Sequence, residues 1–142
     1  MKIVMSSDHV GYELKMILKE YVESLGHTTI DVGTFSTQQT DYPVYGKAAA
    51  IKIFTGEADV GVLVCGTGFG IALSANKMKG IRCVNCAEPY TALLARQHND
   101  ANAIALGARV VGTELAKMIV KEFLSGSFEG GRHADRIAMI EK

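Results

Sequence analysis

Short apolar runs alternate along this chain with stretches whose apolar positions recur every three or four residues. Lys2 to Ser6 reads as a strand. Leu14, Ile17, Leu18, Tyr21, Val22 and Leu25 then fall on one face of a helix, which Gly26 closes. Thr28 to Val32 is a second strand. Gly33 to Pro43 is a polar loop, and Pro43 lies near the start of a helix that carries Ala48 to Ile53 and ends at Gly56. Val60 to Val64 is apolar throughout and rich in β-branched residues, the pattern of a strand buried on both faces in a parallel sheet. Ile71, Ala72, Ala75 and Met78 return to helical spacing. Ile81 to Cys86 is a fourth strand, Pro89 to His98 a helix, and Ala103 to Leu106 a fifth strand. Thr113 to Leu124 is a helix with Leu115, Ile119 and Phe123 on its buried side. Gly130-Gly131 breaks the chain before a short, basic C-terminal helix.

Strand and helix thus alternate five times, the mark of a parallel sheet covered on both faces and joined by right-handed crossovers. The predicted architecture is a three-layer α/β/α, Rossmann-like fold with a five-stranded parallel sheet and a short C-terminal helix, one domain over residues 1–142. All strand carboxyl ends then lie on one edge, where open α/β sheets bind ligands. Asp8 and His9, Cys65 to Gly70, and the loop after Leu106 share that rim.

Composition narrows the function. The 142 residues are 48% hydrophobic and 21% charged, enough apolar material for a core. A formal net charge of zero argues against nucleic-acid binding, which rests on clustered Lys and Arg. No apolar run is long enough to span a bilayer, so no membrane partner is expected. Met1-Lys2 leads straight into a strand without a signal-peptide pattern, and three cysteines do not make a disulfide framework. A cytoplasmic location is the expectation.

The chemistry concentrates at the rim. Cys65 ends the central strand, and Gly66-Thr67-Gly68-Phe69-Gly70 turns into a helix. The spacing is neither the dinucleotide fingerprint nor a phosphate loop. Glycines bring backbone N–H groups close to a ligand, and a helix N-terminus favours negative charge, a thiolate included. The same residues also suit a tight βα connection with an inert buried thiol. Asp8-His9 reads as an acid/base or hydroxyl-binding pair, or as an N-cap Asp beside a surface His. His98-Asn99 offers a proton donor or acceptor near neutral pH, or simply a polar helix end. Arg132 and Arg136, at i and i+4, suit a phosphate or form a solvated basic tail, and Arg109 is a third candidate. Cys83 and Cys86 have a C-x-x-C spacing without a second ligand pair, and read as two small side chains in and after the fourth strand.

As an ordered set, Ser7-Asp8-His9 with Gly11-Tyr12, Asp41-Tyr42-Pro43, Cys65 to Gly70, Asn76-Lys77, Gly80-Ile81-Arg82, His98 to Asn102, Gly107-Ala108-Arg109 and Gly130 to His133 resembles the ribose-5-phosphate isomerase B family. That family includes allose-6-phosphate and galactose-6-phosphate isomerase subunits. The resemblance covers nearly the whole chain. It implies an aldose–ketose isomerase of phosphorylated sugars that uses no metal and no cofactor. It also implies a homodimer or dimer of dimers, with the active site at the subunit interface. One branch of the family uses a Cys base and another a Glu elsewhere; Cys65 places this chain with the first. By the same resemblance Cys65 moves the proton between C2 and C1, and His98 of the neighbouring subunit opens the sugar ring. Thr67 assists near the ring oxygen, and Asp8 handles hydroxyl protons. His9, Arg132 and Arg136 hold the phosphate, and Arg109 reaches across the interface. Tyr42 and Asn99 line the sugar site.

Isomerisation through a cis-enediolate needs a base over C1 and C2 and donors for the oxyanion. The amides of Gly66, Gly68, Phe69 and Gly70 are candidates for the donors. Ribose 5-phosphate is the expected substrate, with a hexose 6-phosphate, or binding without turnover, as the alternatives. The galactose-6-phosphate isomerase subunits each lack part of the catalytic set, whereas Cys65 and His98 stand here in one chain. Phe69 stands where the family often carries a smaller aliphatic residue, and so bears on the choice of sugar.

Overall fold

The computed structural model describes all residues, Met1–Lys142. Five strands, β1 (Lys2–Ser7), β2 (Thr28–Asp31), β3 (Val60–Cys65), β4 (Cys83–Asn85) and β5 (Ala103–Gly107), form one sheet. Its order is β2-β1-β3-β5-β4, and every pairing is parallel. Six helices complete the chain: α1 (Tyr12–Ser24), α2 (Tyr42–Phe54), α3 (Phe69–Asn76), α4 (Pro89–Asn99), α5 (Thr113–Ser125) and α6 (Arg132–Ile140).

Alternation along the central strands divides the core. Ile3, Met5, Val62, Val64, Ile104 and Leu106 face α1, α4 and α5, through Leu18, Ala92, Ile119 and Phe123. Val4, Leu63, Cys65, Ala103 and Ala105 face α2 and α3, through Ala49, Ile71 and Ala75. Both layers are apolar, which accounts for the unbroken apolar run of β3. α6 packs on α4, outside the three layers.

Some sequence expectations require correction. Ile17, Leu25 and Leu115 are not buried, at 37%, 43% and 37% exposure. The inward stripe of α1 instead contains Lys15, which is fully buried. Its Nζ donates to Asp31 Oδ1 at 2.7 Å and to the Thr34 carbonyl at 2.5 Å. Charge and donors are thus satisfied at the end of β2 and in the loop after it. The fourth strand is shorter than expected, Cys83–Asn85: Ile81 N–H turns back to the Met78 carbonyl and Arg82 N–H donates to Asn102 Oδ1, so only the Arg82 carbonyl reaches β5, accepting from Ala103 N–H. Asn76 brackets that edge strand. Its Nδ2 donates to the Cys83 carbonyl and its Oδ1 accepts from Cys83 N–H, both at 2.7 Å.

Candidate active site

Asp8, Val10, Tyr42, Cys65, Gly66, Thr67, Gly70 and Arg109 line a cleft of about 260 Å³ at the carboxyl edge of the sheet. It sits over β1 and β3, where the connections leave toward opposite faces, the position favoured for ligands. The rim expected from sequence is therefore assembled by the fold.

Cys65 is the last residue of β3, and its side chain is directed to the α2/α3 face. The chain then turns through Gly68 at φ +85°, which a side chain would resist. The turn carries the Gly68 N–H back to donate to Cys65 Sγ at 3.2 Å. The α3 N-terminus follows at once. Neighbouring backbone holds the turn. The loop after β5 donates from Ala108 N–H to the Cys65 carbonyl at 2.9 Å and from Arg109 N–H to the Gly66 carbonyl at 3.0 Å. Asn85 Nδ2 donates to the Thr67 carbonyl at 3.2 Å. The N–H groups of Gly66 and Thr67 have no protein acceptor beside the cleft they line.

Asp8 is buried and its Oδ1 accepts from Gly11 N–H at 3.0 Å, fixing the entry to α1. Its other oxygen has no protein partner. Asp8 is not the N-cap of α1, a place taken by Gly11; it orders the turn before the helix and lines the cleft. His9 Nδ1 accepts from Thr40 N–H at 3.2 Å, which leaves the proton on Nε2. Tyr42 lies over the turn: a Cβ at Gly70 would come within 2.4 Å of its ring, so glycine is required for that approach. Arg109 lines its own chain's cleft and forms no ion pair.

The remaining candidates lie elsewhere on the chain. α4 runs antiparallel to the strands, so His98 and Asn99 emerge at the amino edge of the sheet, in the layer opposite the side chain of Cys65. His98 stacks on His133, centroids 4.3 Å apart, and Glu129 Oε1 lies 3.7 Å from Nε2 of both. Burial, reinforced by the neighbouring His98 and Arg132, holds the His133 imidazole below its ordinary range. Arg132 and Arg136 are exposed at the start of α6, and Phe69 is exposed beside the cleft. A single chain therefore brings Cys65, Asp8, Thr67, Tyr42 and Arg109 together, but not His98, Asn99, Arg132 or Arg136.

Sequence reasoning missed Val10 and Asn85. A lone polar residue at the carboxyl end of the apolar fourth strand was the available signal for Asn85. The C-x-x-C pair is inert by position: Cys83 packs in the α2/α3 layer and Cys86 in the opposite one. Burial pushes the Cys83 thiol up to about 12 and also raises that of Cys86.

The chain superposes on the ribose-5-phosphate isomerase B of Clostridium thermocellum with a TM-score of 0.98 at 46% identity, covering 99% of this chain and 95% of that one. The Mycoplasma genitalium enzyme, solved with bound ribulose 5-phosphate, gives 0.93 at 38%, over 98% and 93% of the two chains. In sequence the chain is 51% identical over 139 residues to ribose-5-phosphate isomerase B of Escherichia coli K12, 98% of this chain and 93% of that protein. It is 46% identical over 129 residues to the galactose-6-phosphate isomerase subunit LacB of Clostridium acetobutylicum, 91% of this chain and 75% of that protein. Fold and cleft thus define an aldose–ketose isomerase built on a parallel sheet. The particular family is the ribose/galactose isomerases, to which the chain belongs through a match over residues 3–140.

Proposed function

We propose that the chain interconverts ribose 5-phosphate and ribulose 5-phosphate through a cis-enediolate, with Cys65 as the base and no metal in the reaction. The observation that carries this reading is the Gly68 N–H held 3.2 Å from Cys65 Sγ, at the mouth of a cleft lined by Asp8, Thr67, Tyr42 and Arg109. The thiolate takes the C2 proton of the open-chain aldose and returns it to C1. The free amides of Gly66 and Thr67 face the charge that develops on the carbonyl oxygen. Asp8 relays the hydroxyl proton between O1 and O2 from its unpartnered oxygen.

Ring opening and phosphate binding need groups that one chain does not bring to the cleft. We assign these to a second copy, whose His98 takes and returns the ring proton and whose Arg132 and Arg136 grip the phosphate. Exposed apolar side chains beside the cleft support this. Val44, Phe69 and Leu73, on the packed pair α2 and α3, are 60%, 61% and 64% exposed, and apolar patches of this kind mark interaction surfaces. Phosphate anchoring far from C1 and C2 orients the reacting carbons.

Turnover with ribose 5-phosphate and with allose 6-phosphate, each with a chelator present, tests the reading. The pentose is expected to be the better substrate and the chelator harmless. Cys65→Ala is expected to lose about 10²–10⁴-fold in kcat while still folding. A Cys65→Ala protein with full turnover, or turnover abolished by chelation, would remove the proposed base or the metal-free route.

A further inference from the structure

Asn85 ends the edge strand β4 and has no part in the proposed chemistry, yet its side chain crosses β5 to meet the turn after Cys65. Its Nδ2 lies 3.2 Å from the Thr67 carbonyl oxygen and 3.4 Å from that of Ala105, its register partner on β5. Both neighbours are acceptors, so only the amide nitrogen suits that position. The Thr67 carbonyl belongs to the same peptide unit as the Gly68 N–H, which donates to Cys65 Sγ at 3.2 Å. The unit is trans. A trans peptide is planar, with C=O and N–H pointing opposite ways, so holding one end aims the other. Packing fixes the same unit. Gly107 is the register partner of Cys65, and a Cβ there would stand 2.7 Å from the Thr67 carbonyl oxygen and 2.8 Å from its carbon. The peptide therefore lies directly on the bare backbone of β5. On its other side, a Cβ at Gly68 would run into Asn85 Nδ2.

We propose that Asn85 is a positioning residue for the isomerisation. By holding the Thr67 carbonyl it sets the direction of the Gly68 N–H, and with it the place of Cys65 Sγ and of the free Gly66 and Thr67 amides in the same turn. The consequence for turnover rests on the proposed function, in which that sulfur is the base and those amides meet the developing charge. Groups of this kind act only when held in place beforehand, and a misplacement of about 1 Å can cost on the order of 10²-fold in rate. Asn85 is not among the residues that line the cleft. Its loss should therefore slow the reaction without weakening substrate binding.

Asn85→Ala and Asn85→Asp test this in the full-length protein, with melting curves to verify folding. In Asn85→Ala, kcat with ribose 5-phosphate should fall about tenfold or more while KM stays the same. Amide hydrogen exchange reads the peptide without recourse to activity. The Gly68 N–H should exchange about tenfold faster in Asn85→Ala, with the amides of β3 exchanging as in the wild type. Asn85→Asp keeps the shape but sets a carboxylate against two carbonyl oxygens, so at neutral pH it should be slower than Asn85→Ala. In acid the protonated carboxyl donates to the Thr67 carbonyl, and the rate relative to Asn85→Ala should recover, which a mere loss of packing would not produce. If one variant does not fold, the other carries the comparison. Unchanged Gly68 exchange, unchanged kcat, or a raised KM at unchanged kcat in the folded variants would overturn the role of Asn85. Full turnover in Cys65→Ala would instead overturn the assignment of the base, and Gly68 exchange would still report whether Asn85 holds the peptide.

Discussion

Lys15 shows how much a single buried charge can organise. Its ammonium is sealed beneath α1, paired with Asp31 and bonded to the Thr34 carbonyl, and lies 5.4 and 5.1 Å from the ring centroids of Tyr12 and Phe35. It therefore ties α1 to the loop whose far end presents Thr40 to His9. Lys15→Met fills the space but strands the Asp31 carboxylate. The expected cost is about 3–5 kcal/mol, read from denaturant unfolding. Gly70→Ala acts on a smaller scale. Its Cβ would displace the Tyr42 ring, so KM should rise and stability change little, which steady-state kinetics beside a melting curve would separate. Sequence periodicity could not locate Lys15 inside, because a lysine on an apolar stripe reads as an interruption. Nor could it exclude Ile17, Leu25 and Leu115, because an apolar side chain at a stripe's margin is as common outside a protein as in it. The rim residues Asp8, Cys65 and Arg109 were legible, since strand ends follow directly from the alternation of elements.

Among the elements, the short edge strand β4 depends most on side chains. Asn76→Ala would leave the Cys83 N–H and carbonyl without their partners. The expected loss is about 1–3 kcal/mol, with increased amide exchange along β4. Arg82 closes the same edge. It donates to the Asp100 carbonyl at 2.8 Å and to Glu141 Oε1 at 2.7 Å, locking the end of α6 to the start of β4. The motifs Asn76-Lys77, Gly80 to Arg82 and Asp100 to Asn102 thus largely build the frame, which their spacing alone did not disclose. Hydrogen bonding to Arg82 holds the Glu141 carboxyl below its ordinary value of 4.5. Its stabilisation is present above that pH and lost as pH falls through the depressed folded value. Wild type and Glu141→Gln should therefore differ by at most about 1 kcal/mol near neutrality and converge in acid, measured by thermal unfolding across pH.

At the scale of the whole molecule, the distribution of chemistry is lopsided. A thiol, a carboxylate and free amides lie at one edge of the sheet. The imidazole of His98 lies at the other edge, and Arg132 and Arg136 on the helix that packs behind it. Sequence reading supplied the list of residues and the common edge of the strand ends. The place of His98 at the edge opposite Cys65 follows from α4 running antiparallel to the sheet, a consequence of the predicted crossovers that a list of chemically suggestive residues does not carry. In the proposed function a second copy completes the site, with the exposed Val44, Phe69 and Leu73 as the surface for it. The most direct test combines two crippled chains. Cys65→Ala and His98→Asn, each inactive as a homo-oligomer, are co-expressed with different tags and the mixed dimer is purified through both. If each site draws Cys65 from one chain and His98 from the other, one of the two sites is intact, and about half the wild-type turnover per dimer should return. A mixed dimer as inactive as its parents would contradict the shared site.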